Sequence, residues 1–212
     1  MEFWELDWLD RQMADDELDD PDAWRPWRPS MRLDVATRDR LIWGVVIDDW
    51  DPETQANSED GNALTEDMPF CTEAPIVSPK LRALIETHAP GCAQFLPIRM
   101  TYRGEPMAGG PCFVLNVIQV VDCLDIEPSA ATPYPEHLAV HLRADHVQLD
   151  RDRVRFLSTR VPADAHLFRL RYDYITVVAS DVLKHRLLRE GARGVVFRRL
   201  PFRVENRHRT AP

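Results

Sequence analysis

The sequence predicts an α+β fold in which a mixed β-sheet is covered by a few short helices and a strand-helix-strand unit is used twice. The first observation behind this prediction is an ungapped match between residues 76–95 and 178–197, an offset of 102 positions. The second is that both copies read as a strand, a short amphipathic helix and a strand. The third is a set of apolar runs, such as FVLNVIQVV, that have the length of buried strands.

The two copies agree where a strand-helix junction needs a particular residue type. Ser78 and Ser180 stand at the N-cap positions, where a serine hydroxyl accepts a hydrogen bond from the first helical turn. Pro79 suits the first helical position, because its missing N–H is not needed there. A coincidence between two units of the same common type would give a similar match. The matched pairs are Ile76 with Val178, Ser78 with Ser180, Leu81 with Leu183, Arg82 with Lys184, Ile85 with Leu187 and Phe95 with Phe197.

Segments outside the two copies are predicted from their periodicity and turn residues. FWELDWLDRQMADDELDD has apolar residues at helical spacing and predicts a short amphipathic helix. LIWGVVID, within residues 33–50, predicts a buried strand. DDWDPETQANSEDGNALTEDMP predicts a long surface loop. AQFLPIRMTY and FVLNVIQVV predict strands joined through the loop RGEPMAGGP, and HLAVHLRADHVQLDRDRVRFLSTRVP predicts further strands.

Charge is distributed unevenly along the chain, whose formal net charge is −9. Residues 1–60 hold 18 Asp and Glu against six Arg, a net charge of −12, whereas residues 61–212 have a net charge of +3. We therefore expect an acidic, Trp-rich N-terminal segment, residues 1–60, that contains a first strand and packs on an α+β body, residues 61–212, within one globular unit. The acidic start and the shortness of every apolar run predict a cytoplasmic protein without a membrane span.

Motifs for catalysis, metals or cofactors are absent from the sequence, which predicts no cofactor. The four cysteines form no CxxC pair, and His137 and His141 lack the glutamate of a zinc-protease motif. Asp122, Cys123 and Asp125 form the most enzyme-like cluster, but two flanking carboxylates would raise the pKa of a thiol nucleophile, so a structural role is favoured. A small enzyme built on Asp122 and Cys123 stays an alternative.

A second alternative is a regulatory nucleic-acid-binding module. The C-terminal stretch VVFRRLPFRVENRHRTAP combines clustered arginines with Phe197 and Phe202, which offer charge and stacking. The acidic N-terminal segment would repel phosphate, so this alternative is disfavoured.

Several short motifs, in order, resemble the myxobacterial-type immunity-protein family of bacterial polymorphic toxin systems, formerly a domain of unknown function. The resemblance covers residues 74–125 and 166–199 and does not extend to the acidic N-terminal segment. The matching residues are Val77, Ser78, Leu81, Phe95, Leu96, Pro97, Leu115, Asn116, Asp122, Asp125, Leu167, Phe168, Arg169, Ser180, Gly194 and Phe197.

The resemblance implies a protein without catalysis of its own that binds and neutralises a cognate toxin. A basic toxin, such as a nuclease, would be attracted to an acidic surface, which could cover its active site. An alternative is that the acidic runs are only a solvated face and that the tryptophans only cover the edge of the core. The candidate toxin-binding residues are Trp4, Trp8, Asp15, Asp16, Glu17, Asp19, Asp20 and Asp22 in the N-terminal segment, and Asp48, Asp49, Asp51 and Glu53 in the loop.

Overall fold

The computed structural model describes residues 1–7, 29–58, 67–69, 74–107, 110–133, 147–200 and 202–205. Within these ranges the α-helices are α1 (Val35–Ile42), α2 (Pro79–His88) and α3 (Asp181–Arg189). None of them is long and apolar enough to span a bilayer. The strands are β1 (Phe3–Asp7), β2 (Ser30–Met31), β3 (Gln55–Ser58), β4 (Ile76–Val77), β5 (Ala93–Tyr102), β6 (Glu105–Pro106), β7 (Cys112–Val117), β8 (Val120–Val121), β9 (Leu124–Ile126), β10 (Ala131–Pro133), β11 (Val147–Leu149), β12 (Val154–Leu157), β13 (Leu167–Leu170), β14 (Asp173–Ser180), β15 (Val196–Arg199) and β16 (Arg203–Glu205).

Most strands belong to two larger mixed sheets. Sheet 1 has the order β15-β1-β14-β13-β8, and sheet 2 has the order β2-β3-β5-β7-β4, with β6 paired to β5. In these sheets β13 runs parallel to β8 and β3 runs parallel to β5, whereas their other pairs are antiparallel. A smaller sheet has the order β16-β12-β9, and β10 pairs with β11. Mixed sheets with a few short helices confirm the predicted α+β class.

The strand-helix-strand unit predicted twice is present twice, with the same topology. In unit A, β4-α2-β5, both strands pair antiparallel with β7, so they are parallel to each other with β7 between them. In unit B, β14-α3-β15, both strands pair antiparallel with β1 in the same way. Each helix therefore connects two parallel strands, as a crossover connection does, but each unit needs a further strand from elsewhere in the chain.

Helices α2 and α3 cover one shared core that spans both larger sheets. Leu81 and Ile85 of α2, and Leu183 and Leu187 of α3, are each 1% exposed and belong to the same apolar cluster. Burying an aliphatic side chain of this size stabilises a fold by about 1.5–3 kcal/mol. The cluster also contains alternate residues of the sheets, including Leu6, Phe113, Leu115, Val117, Leu167, Val177 and Ala179.

The opposite faces of the two sheets are covered by different elements. On sheet 1, Phe3, Phe168 and Val178 form a second core with Val154 and Phe156 of the smaller sheet. On sheet 2, residues of β5 and β7 form a third core with α1 and the segment that follows it. The members of this third core include Met31, Leu41, Ile47, Ala56, Leu96, Ile98, Met100 and Val114. Strands β1, β5, β7 and β14 thus have apolar contacts on both faces, as the continuous apolar run of β7 predicts.

Two predictions near the N-terminus are wrong. Residues 3–7 form strand β1, not the start of an amphipathic helix, because this segment pairs with β14 and β15 on its two sides. LIWGVVID is not a strand. Its first residues end α1, which begins after the N-cap Asp34, and Gly44, with φ of +59°, follows the helix. The run is apolar because Leu41, at the end of α1, and Trp43 and Ile47, in the loop that follows, are all buried.

The predicted long loop also contains a strand. β3 pairs in parallel with β5, so this part of the segment belongs to sheet 2. Residues 1–7 and 29–58 therefore contribute β1 to sheet 1 and β2 and β3 to sheet 2. The predicted division of the chain near residue 60 stays a prediction.

Candidate functional site

The two capping serines have the predicted role. Ser78 Oγ accepts a hydrogen bond from the Leu81 N–H at 3.1 Å, and Ser180 Oγ accepts one from the Leu183 N–H at 3.2 Å. Each hydroxyl also has a second side-chain partner, which the sequence did not predict. Ser78 Oγ donates to Asp67 Oδ1 at 2.7 Å, and Ser180 Oγ lies 2.9 Å from His166 Nδ1.

Asp67 joins unit A to unit B. Its Oδ2 accepts a hydrogen bond from the Arg193 N–H at 3.0 Å and lies 3.4 Å from Lys80 Nζ. Arg193 lies in the turn between α3 and β15, and its carbonyl oxygen accepts from the Asp67 N–H at 3.0 Å. Burial alone would raise the pKa of Asp67, but the hydrogen bonds from Ser78 and Arg193, with the charge of Lys80, outweigh burial and lower it.

Arg169, another residue of the family motif, is buried at the junction of three elements. Its guanidinium donates to Val117 O at 2.8 Å, to Tyr174 O at 2.6 Å and to Leu41 O at 2.9 Å. Leu41 lies at the C-terminal end of α1, where the helix dipole favours a cation. Gly44 allows this close packing, because a Cβ there would lie 2.4 Å from Val117 O and 2.8 Å from Arg169 Cδ.

Asn116 and Pro97 attach the segment after α1 to sheet 2. Asn116 Nδ2 donates to Val45 O at 2.8 Å and to Gln94 Oε1 at 3.1 Å. Trp50 Nε1 donates to Pro97 O at 2.8 Å. Both motif residues therefore position the chain that leads into the acidic loop.

Three further motif residues have structural roles in the core, in a turn and at the edge of the core. Phe168 is fully buried in the second core. Gly194 has φ of +74°, which favours glycine, in the turn before β15. Phe197 is half-buried against the shared core.

The enzyme-like cluster has the geometry of a structural site. Cys123 is fully buried, and burial, with a smaller effect from the charge of Asp122, raises the pKa of its thiol to about 12. A thiol protonated at neutral pH is a poor nucleophile. Asp122 is exposed and lies 3.3 Å from Arg171, and Asp125 lies 3.6 Å from Arg155.

The four acidic residues of the loop lie close together in the chain and differ in their partners. Asp49 lies 2.6 Å from Arg40, whose hydrogen bond lowers the pKa of Asp49, and Glu53 lies 2.6 Å from Arg99. Asp51 Oδ1 accepts from the Glu53 N–H at 2.9 Å, which shapes the turn. Asp48 is exposed. The side chains of Asp49 and Glu53 also stay 75% and 58% exposed, so their charges face solvent despite the pairing.

Of the candidates within residues 1–22, Trp4 alone belongs to the described part of the chain. Trp4 lies half-buried on β1 with Lys184 Nζ 3.0 Å from the centre of its ring, so it covers the edge between β1 and α3. The other candidates there lie outside the described residues, as do His137 and His141. These candidates are Trp8, Asp15, Asp16, Glu17, Asp19, Asp20 and Asp22.

The C-terminal phenylalanines do not present free faces for base stacking. Phe202 is 5% exposed and packs in the second core, with Arg151 over its ring at 5.8 Å. Phe197 packs against the shared core. Their burial disfavours the nucleic-acid alternative.

Most of the motif residues thus cap helices, fill the core or hold elements together. Comparison with known proteins gives the class of this molecule. The chain belongs to the Immunity protein family (Imm11), which it matches over residues 16–200, most of its length. The resemblance noted from the sequence motifs is thereby confirmed at the level of an immunity-protein family. A comparison with curated proteins found no match.

Sequence reasoning missed Asp67, His166 and Gly44. Asp67 gives no local signal, because its partners are a residue 11 positions away and a turn 126 positions away. His166 also gives no local signal. Its partner Ser180 comes close to it only because β13 pairs with β14. Gly44 could have been flagged as a helix stop, since glycine commonly follows a helix C-terminus.

Proposed function

We propose that this immunity protein binds a cognate toxin and blocks its active site through an acidic surface. The surface consists of Asp48, Asp49, Asp51 and Glu53 in the loop after α1, together with the acidic run of residues 15–22 and the tryptophans Trp4 and Trp8. The site of action is the cytoplasm of the cell that makes both proteins. The observation that carries the proposal is membership of the immunity-protein family over residues 16–200, a span that includes the loop acids and every acid of the N-terminal run except Asp15.

The loop geometry supports an electrostatic contact. The carboxylates of Asp49 and Glu53 remain mostly exposed although each has an arginine partner. Exposed ion pairs contribute little to stability, so a basic toxin group can replace Arg40 or Arg99 at small cost. Acidic groups held on a well-anchored segment would attract a basic toxin over several ångströms and speed its association.

A role without catalysis is in keeping with the family and with the geometry of the enzyme-like cluster. The one cysteine of that cluster is buried, and the pKa of its thiol is raised. The two neighbouring carboxylates are occupied by arginine partners.

Co-expression tests the proposal. Immunity genes usually adjoin their toxin genes, so the product of the adjacent reading frame is expressed in cells with and without this protein, and survival and co-purification are scored. Rescue with a stable complex is expected. A toxic neighbour that kills despite this protein would contradict the proposal.

The acidic surface is tested separately by isosteric neutralisation of the loop. The quadruple variant Asp48→Asn, Asp49→Asn, Asp51→Asn and Glu53→Gln removes four charges while keeping the acceptor in the turn. We expect association with the toxin to slow by about tenfold at low salt, with little change at high salt. The matched control neutralises the exposed residues Asp150, Asp152, Asp164 and Glu105. Equal rates for the two variants would remove the loop from the contact.

A further inference from the structure

The outer face of α3 combines exposed apolar and basic side chains. Val182, His185, Arg186 and Arg189 recur at spacings of three and four, so they lie on one stripe of the helix. Val182 is 41% exposed, and Leu188, beside this stripe, is 48% exposed. His185, Arg186 and Arg189 are also exposed. The inner face of the same helix is buried through Leu183 and Leu187, so α3 is held firmly while its outer face is open.

The arginines of this face have no ion pair among the residues that the structure places. The acids at the two ends of α3 are occupied. Asp181 Oδ1 accepts from the Val182 N–H at 3.0 Å, and Glu190 lies 2.9 Å from His88. Arg186 and Arg189 therefore keep their positive charge available to a partner.

Helix α2 provides the comparison. Its exposed residues include Ala83, Glu86 and Thr87, none of which has a large apolar side chain. Glu86 pairs with Arg82 at 3.0 Å, in the i,i+4 arrangement of an ordinary solvated helix. Because α2 occupies the equivalent place in unit A without such a face, the strand-helix-strand topology does not by itself explain the basic and apolar outer face of α3.

We propose that the outer face of α3 docks an acidic protein surface on the cognate toxin, a second contact of opposite charge to the acidic loop. This inference rests on the proposed function. Arginine is enriched at protein interfaces, where apolar contact and charge-assisted hydrogen bonds act together. A carboxylate-rich surface complements the charge of Arg186 and Arg189, while Val182 and Leu188 bind apolar atoms. A nucleic acid fits less well, since this stripe has no Phe, Tyr or Trp side chain for base stacking.

Two variants of the full-length protein test the charge and the apolar contact separately. One is Arg186→Glu with Arg189→Glu, and the other is Val182→Gln with Leu188→Gln, which keeps every charge and a good helix former. The matched control reverses the exposed Arg32 and Arg203 to Glu, which changes net charge by the same amount at positions outside α3. Thermal unfolding confirms that each variant is folded. The probe is the product of the adjacent reading frame, purified as a catalytically inactive variant.

Titration of this toxin against each protein gives distinguishable results. We expect the dissociation constant to rise at least about tenfold for the charge reversal and several-fold for the glutamine variant, with the control within about twofold. If wild type binds and both α3 variants bind equally well, the inference is overturned and the proposed function stands. If wild type neither binds nor rescues, the proposed function fails and the inference fails with it. If instead the variants abolish self-association of the wild type in sedimentation, the face binds a second copy and the toxin is the wrong occupant.

Discussion

Unit A and unit B share their inner construction and differ on their outside. Both have a serine N-cap with nearly the same backbone geometry, φ of −70° with ψ of 162° at Ser78 and 156° at Ser180. Both place two aliphatic side chains of the helix in one core. They differ in the group that holds the serine, Asp67 or His166, and in the outer faces of their helices. The shared features are those that the fold requires, so the differing features are where function can be sought.

The largest expected effect tests the shared interior. Leu81→Ala and Leu183→Ala each leave a cavity in the same core, so each should lower the free energy of unfolding by about 2–5 kcal/mol. Urea denaturation of the two variants measures this. Val182→Ala on the exposed face of α3 is the control and should change stability by less than about 0.5 kcal/mol. A large loss for one leucine and none for the other would show that the two units are not equivalent in the core.

An intermediate effect is expected at the group that distinguishes the two caps. Asp67→Asn removes the charge that faces Lys80 and weakens the bonds to Ser78 and Arg193, so it should cost about 1–3 kcal/mol at pH 7. Because the folded pKa of Asp67 lies below the ordinary value of 3.8, its contribution is present above that value and is lost as the pH falls through the folded pKa. The difference between wild type and variant should therefore shrink below about pH 3.8 in urea titrations at several pH values.

The control for this pH dependence is the exposed Asp152. Asp152→Asn should change the free energy of unfolding by less than about 0.5 kcal/mol at pH 7. A difference between wild type and Asp67→Asn that stays constant down to pH 2 would mean that the charge of Asp67 does not contribute to the link between the units.

The smallest effect concerns the caps themselves. Ser78→Ala and Ser180→Ala each remove one acceptor for a helical N–H and should cost about 1 kcal/mol, with the larger loss at Ser78 because Asp67 then loses a donor. Chemical denaturation of both variants compares the caps directly. Combining Ser78→Ala with Asp67→Asn should cost less than the sum of the two, since they share a hydrogen bond. Strict additivity would contradict the coupling.

Local signals predicted the parts of the fold that depend on neighbouring residues. Ser78 followed by Pro79 predicts where α2 begins, and the spacing of Leu183 and Leu187 predicts the buried side of α3, because caps and amphipathic stripes act within one or two turns. The apolar run LIWGVVID predicts a strand wrongly, because an apolar run is equally compatible with any buried segment. β1 and β3 were missed because a strand is defined by its partner, and their partners lie far along the chain.

For the candidate site, the sequence predicts only which segments are acidic or basic. The sequence shows that the loop is acidic and that the C-terminal end is basic, but it does not show that Arg40 and Arg99 accompany the loop acids or that Arg186 and Arg189 lack such partners in the described part of the chain. Pairing depends on distances between side chains, which composition does not contain.

The sequence by itself determined the α+β class, the doubled unit, its capping serines and the resemblance to an immunity-protein family. Each of these follows from the identity and spacing of residues within short segments. The tertiary structure decided that a separate strand, β7 or β1, lies inside each unit, that Asp67 joins the two, and that Arg169 holds α1 against both sheets. These contacts join residues as far apart along the chain as Trp4 of β1 and Arg199 of β15, and only the folded chain brings their polar groups within hydrogen-bond distance.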